Sequence, residues 1–214
     1  MTTVLEERLR HATIIEAIYT PGDLERISGL RADMQRVWRA RGQLPPVESG
    51  HARFTVSQTV EITFRYALSK IGIPPSELKL DLAGATRAAL THAVFTHGGC
   101  EVIGPSEDVD LFLREFADDD GTLGMRLAGN PDRANYLVLN EWHQTRVVGD
   151  EHDLVSTTKE EVNVIFNLAL VGARLVERGR KPVVTLRFPD QSGQRAIRRL
   201  TGIGRVEETG ANDS

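Results

Sequence analysis

The stretch Leu30–Pro46, LRADMQRVWRARGQLPP, decides how the first third of the chain is read. It carries four arginines and one acid in a chain whose net charge is −4. Met34, Val37, Trp38 and Arg41 fall at i, i+3, i+4 and i+7, the spacing of one helix face. This spacing predicts a helix over 32–41 with an apolar side turned inward. Arg31, Gln35, Arg36 and Arg39 then project elsewhere. Gly42 suits a left-handed stop, and Pro45-Pro46 cannot continue a helix.

Upstream, Thr20-Pro21-Gly22-Asp23 opens a shorter helix. Thr20 is a capping residue, Pro21 suits the first position, and Asp23 favours the positive end. Leu24 and Ile27 face inward, and Ser28-Gly29 makes a tight turn into Leu30. Downstream, 47–55 (VESGHARFT) is expected to be a small hairpin with Ser49-Gly50 at its tip. Residues 57–72 keep a helical period through Val60, Ile62, Phe64, Ala67, Leu68 and Ile71, ending at Gly72. Two helices, a turn, a hard stop and a hairpin make a winged helix-turn-helix. In that arrangement the stop lets the chain reverse into a wing, so that wing and basic helix can grip one duplex.

On these residues the chain resembles the MerR-type winged helix-turn-helix regulators. Their pattern of YT-x-G-x-hydrophobic, then LRYWERRGLLPP, then GYRLY meets YTPGDLERISGL, QRVWRARGQLPP and GHARF here. The alignment has no gap from Tyr19 to Pro46, and the resemblance covers roughly residues 17–78. Its anchors are Tyr19-Thr20, Gly22, Leu24, Gly29-Leu30, Arg36, Trp38, Arg41-Gly42 and Leu44-Pro45-Pro46. The departures are Arg31 for the usual cap, Gln35 and Gln43 for leucines, Val37 for an aromatic, and Arg39 for a glutamate. The resemblance implies regulation of transcription by a homodimer bound to a palindromic operator in double-stranded DNA. The residues expected to touch DNA are Arg31, Gln35 and Arg36 on base edges, Arg39 and Arg53 on phosphate, with Arg41 and His51 beside them. The plainer reading, a solvated arginine face, loses weight because hairpin, stop and prolines accompany it. Trp38 is expected to be a core anchor between the helices rather than a base-stacking residue.

Charge is distributed unevenly. Residues 17–72 hold eight basic and five acidic side chains, a net of +3, so the remainder sums to −7. The single cysteine, Cys100, rules out an internal disulfide and fits a reducing, cytoplasmic setting. The N-terminal residues lack a signal-like apolar block, and no apolar run approaches the ~20 residues of a membrane span.

Beyond residue 80 the long coiled-coil helix of the family's metal and drug sensors is missing, and the pattern turns to α/β. Helices are expected over 84–97, 106–121, 158–178 and 192–200, and strands over 100–104, 135–141, 145–150 and 182–188. The 158–178 helix is the strongest of these, with Thr157 and Glu160 as a capping box. It is expected to lie buried against a sheet or at a dimer interface. His92, His97 and Cys100 invite a metal reading, but His92 and His97 would stand about 140° apart on a helix. Glu141, His143, Asp150, Glu151, His152 and Asp153 gather in what is expected to be an exposed, charged hairpin. The acids of 116–121 lack the spacing of a calcium loop and read as a solvated turn. Arg195, Arg198 and Arg199 on the last helix offer a further phosphate contact or simple surface cover. No P-loop, dinucleotide fingerprint or nucleophile elbow occurs.

The fold class expected is therefore α/β overall: a winged helix-turn-helix, mainly α with a small β-wing, followed by a small α/β domain. An N-terminal helix or arm spans 1–16, the DNA-binding domain 17–80, an α/β effector or dimerisation domain 84–205, and a fraying tail 206–214. The expectation is a regulator, not an enzyme. It calls for no cofactor and no metal, and a small-molecule or protein effector would act at the second domain. The alternative is a protein-interaction module that reuses the winged fold, such as an anti-activator or phage-derived adaptor.

Overall fold

The computed structural model describes residues 4–47, 50–75, 82–118, 134–140, 144–157, 163–189, 195–200 and 206–208. The chain is mixed α/β. It begins with α1 (Val4–His11), β1 (Thr13–Glu16), β2 (Ile18–Tyr19), α2 (Pro21–Ser28) and α3 (Ala32–Ala40). β3 (Phe54–Thr55), α4 (Val56–Lys70), α5 (Ala83–Phe95), β4 (Cys100–Pro105) and α6 (Ser106–Asp118) follow. Then come β5 (Tyr136–Asn140), β6 (Thr145–Val148), α7 (Glu151–Thr157), β7 (Asn163–Asn167) and α8 (Leu168–Gly179). The last elements are β8 (Val184–Arg187), β9 (Arg195–Leu200) and β10 (Val206–Glu208).

Local chemistry sets the helix starts. Thr20 caps α2 in a reciprocal box: Asp23 N–H donates to its hydroxyl at 3.2 Å, and Thr20 N–H donates to the Asp23 carboxylate at 2.9 Å. Thr55 and Gln58 repeat the device at α4, at 3.1 and 2.9 Å. Gly29 ends α2 with φ of 83°, a left-handed backbone that a side chain would strain.

Strands β1-β8-β4-β9-β10 form a five-stranded sheet, parallel only between β8 and β4. Along β4, Cys100, Val102 and Gly104 are buried while Glu101, Ile103 and Pro105 are half-buried, the alternation of a sheet with one covered face. α6 lies over that face, and Phe112 meets Phe188 edge to face at 6.3 Å. β6-β5-β7 form a second, antiparallel sheet, and β2 pairs β3 through Ile18↔Thr55 and Tyr19↔Phe54. The alanine-rich helix α5 is central. Its Ala85, Ala88, Ala89 and Ala93 are buried, and α8 packs closely along it. One hydrophobic core runs from Tyr19, Leu24 and Trp38 through Phe64 and Ala89 to Leu175 and Leu186. Residues on both sides of the boundary expected at 80–84 thus share a single interior.

Several expected elements are corrected. The N-terminal helix or arm expected over 1–16 is not one helix: among the described residues α1 stops at His11, and Thr13–Glu16 pairs with β8. The run Thr-Ile-Ile is β-branched, and a sheet edge supplies the backbone partners it prefers. The expected 158–178 helix is β7 followed by α8, with Asn167 as the cap; Leu170 N–H donates to its side chain at 3.0 Å. Val164, Ile165 and Phe166 suit a strand, and β5 offers the ladder. The Thr157–Glu160 capping box lies partly outside the described residues, as does the tip of the 47–55 hairpin at 48–49. Among the described residues, Phe54–Thr55 pairs with β2 rather than with its own preceding arm. Residues 195–200 are a strand between β4 and β10, not a helix. The start of the expected tail is β10, whereas 209–214 lie outside the described residues. α8 packs on α5 and α2, helix on helix, rather than flat on a sheet. No helix among the described residues is long and apolar enough to cross a membrane.

Candidate nucleic-acid interface

α3 leans on α2 and α4 through a narrow stripe. Trp38 is 3% exposed and meets Tyr66 of α4 edge to face at 5.9 Å, so it is the core anchor that its spacing suggests. Gln35 is 2% exposed and donates to the carbonyls of Pro21 (3.0 Å) and Leu30 (2.8 Å). It therefore ties the two helices together, and its expected role on a base edge is corrected: its amide is already used inside. Arg39 is half-buried, and its Nε donates to the Pro45 carbonyl at 3.2 Å. It staples the turn after the helix instead of reaching outward, so its assignment to phosphate is corrected as well.

The remaining expected contacts lie on the surface. Arg31 caps α3 without a side-chain cap bond and is paired with Asp33 at 3.5 Å. Arg36 and Arg41 are exposed on α3 and at its C-cap, and His51 and Arg53 are exposed just before β3. Among the described residues none of Arg36, Arg41, His51 and Arg53 has an ion pair. Arg41 borders an open cleft of about 520 Å³ that Gly42–Pro46 shares with Glu61, Arg65 and Pro75. Met34 and Val37, read from spacing as inward, are each 39% exposed. The buried stripe is Gln35 and Trp38, which rotates the outward face onto Arg36 and Val37. A glutamine three residues before a tryptophan is the one sequence signal for this, because a buried amide needs carbonyls left open at a helix start and turn.

A polar cluster fixes this region against α8. Lys181 Nζ donates to the Ile18 carbonyl at 2.9 Å and to the Asp23 carboxylate at 3.1 Å, and stands 4.9 Å from the Tyr19 ring centre. Arg26 binds Asp23 through its guanidinium and donates to the Arg178 carbonyl at 3.1 Å. Burial is the largest influence on the Asp23 carboxyl and opposes its ionisation. The Thr20 N–H, the Lys181 ammonium and the Thr20 hydroxyl together outweigh it and hold the pKa at about 2. Burial, with Asp23 beside it, pushes the Tyr19 phenol up. Because the folded-state value for Asp23 lies below its ordinary one, its contribution is present above about pH 4 and is lost as pH falls toward 2. We expect the unfolding free energy of the wild type, from urea denaturation, to drop over that window by roughly 1–2 kcal/mol more than that of Asp23→Asn. Equal pH dependence in the two would refute the assignment.

Other sequence candidates disperse. His92 Nε2 lies 3.0 Å from the Ala134 carbonyl, His97 is exposed, and Cys100 is buried, its thiol pushed up to about 12 by burial and then by Glu101. Such a thiol is protonated and unreactive at neutral pH. Asp150 is no hairpin residue but starts α7, accepting from Asp153 N–H at 2.8 Å. Glu141, His143 and Asp119–Gly121 lie outside the described residues. Arg199 pairs with Glu101 across the sheet at 3.0 Å. Among the described residues no three metal-binding side chains converge. Comparison with protein-family models, with curated proteins and with solved structures finds no match in any of the three.

Proposed function

We propose that the chain is a DNA-binding transcriptional regulator that acts as a homodimer on a palindromic operator. In this reading residues 17–78 work as a winged helix-turn-helix of MerR type. α3 enters the major groove and the segment before β3 holds the adjacent strand. The observation that carries it is the outward placement of Arg36, Arg41, His51 and Arg53 around one helix and the chain that follows it, while Gln35 and Trp38 fasten that helix from behind. Arg36 and the apolar Val37 stand together on the outward face, which suits a mixed contact with phosphate and thymine methyl groups. The elements after residue 80 then serve dimerisation or signal sensing. Binding isotherms on duplex DNA across ionic strength test the reading. Arg36→Ala and Arg53→Ala should each weaken binding to every sequence and reduce the salt slope by about one. Slopes identical to wild type would remove the basis for it.

A second reading has its own observation. Met34 and Val37 expose apolar surface beside the arginines, which also suits a protein partner docked on α3. The chain would then be an interaction module, and a purified complex in which Val37→Asp abolishes the partner but leaves DNA affinity unchanged would favour it.

A further inference from the structure

The five-stranded sheet ends in two edge strands, β1 and β10. Among the described residues no strand pairs with the outer side of β1. Ile14 and Ile15 are 50% and 40% exposed, and neighbouring Ile18 is 47% exposed. The backbone is open there as well. Ala17 N–H donates to the Val183 carbonyl at 3.0 Å, in step with the β1–β8 register of Ile15↔Thr185 and Thr13↔Arg187. In an antiparallel ladder the alternate residues turn away, so Ile14 and Glu16 point their N–H and C=O groups outward. Unpaired, apolar edges of this kind template another strand.

We propose that two copies of this chain pair antiparallel through β1, joining their sheets into one, with Ile14 opposite Glu16 and Ile15 opposite Ile15 across the two-fold axis. The register follows from which groups point outward: Ile14 and Glu16 of each copy exchange backbone hydrogen bonds, and Ile15 faces itself in the non-hydrogen-bonded position. Charge selects the antiparallel sense. A parallel pair would stack Glu16 on Glu16, whereas the antiparallel pair turns each Glu16 toward the half of the other copy where α1 ends in Arg10 and His11. The arrangement is isologous and closes on itself, so it stops at a dimer.

The choice of a second copy rests in part on the dimeric reading above, so the test is run on the full chain without DNA. Sedimentation should show a dimer, and Ile14→Lys or Ile15→Lys should weaken it at least tenfold with the circular dichroism spectrum unchanged. Opposed Cα atoms at a non-hydrogen-bonded site are ≈ 4.5 Å apart, within disulfide reach. Ile15→Cys with oxidised glutathione should therefore give a covalent dimer. Val155→Cys, 74% exposed on α7, should not, and buried Cys100 should not cross-link the wild type. A monomeric wild type, a dimer indifferent to both lysines, or Ile15→Cys cross-linking no faster than Val155→Cys would each overturn the proposal. Salt slopes of Arg36→Ala are measured separately, so loss of the edge contact leaves DNA binding standing, and the converse.

Discussion

Gly99→Ala is expected to destabilise the protein by about 3 kcal/mol or more, near the upper end of what overpacking costs. A Cβ at this position would sit 1.8 Å from the Ala93 carbonyl oxygen and 2.9 Å from that of Thr96. Neither is the end of a flexible side chain. Both are backbone atoms at the C-terminal end of α5, whose Ala88, Ala89, Ala93 and Val94 are buried. Residue 99 is held from the other side too: its own carbonyl accepts from Val183 N–H at 2.8 Å and Val184 N–H at 3.3 Å. Relief of the contact must therefore pull α5 from its place or break the entry to β8. Gly22→Ala is the control, since a Cβ there meets nothing nearer than 3.9 Å. Urea denaturation of both variants measures the difference. A Gly99→Ala protein within 1 kcal/mol of wild type would mean that the turn into β4 is not as tight as described.

Phe64→Ala is the second large effect, expected at about 3–5 kcal/mol. Phe64 is fully buried on α4 and meets Phe166 of β7 edge to face, with ring centres 5.2 Å apart. The pair joins the helix that supports α3 to the antiparallel sheet of the second half. Loss of the ring removes buried apolar area and leaves a cavity between elements that cannot both collapse into it. Phe166→Ala should cost less, because Phe166 is only partly buried. The double variant should cost less than the sum of the two, since the shared contact is lost once. Additive losses in thermal or urea unfolding would show that the rings do not act as a pair. DNA affinity, corrected for the folded fraction, should be unchanged in Phe64→Ala, because the exposed arginines do not touch it.

The candidate site was partly legible. Arg31, Arg36, Arg41, His51 and Arg53 are exposed where the sequence suggests, because charged side chains at a helix surface and before a short strand go to water by default. Gln35 and Arg39, which helical spacing places outward, instead serve the interior. Their side chains could satisfy either an external ligand or an internal carbonyl, and helical spacing does not rank the two. The polar cluster of Asp23, Lys181 and Tyr19 could not be foreseen, since Asp23 and Lys181 are separated by 158 residues.

What the sequence determined by itself were the features closed within one or two turns of chain: the Thr20 cap with Asp23 beside it, the tight turn at Ser28-Gly29, the left-handed stop at Gly42, the helices α2 to α6, and the strands β4, β5, β6 and β8. These rest on neighbouring residues, so composition and spacing suffice. Tertiary structure decided β1, β7 and β9, three segments expected to be helical. Each is short and holds residues compatible with helix or strand, and the choice fell to a distant partner. β8 offers hydrogen bonds to Thr13–Glu16, β5 to Asn163–Asn167, and β4 to Arg195–Leu200, and a backbone whose polar groups are paired by a ladder has no need of the helical alternative.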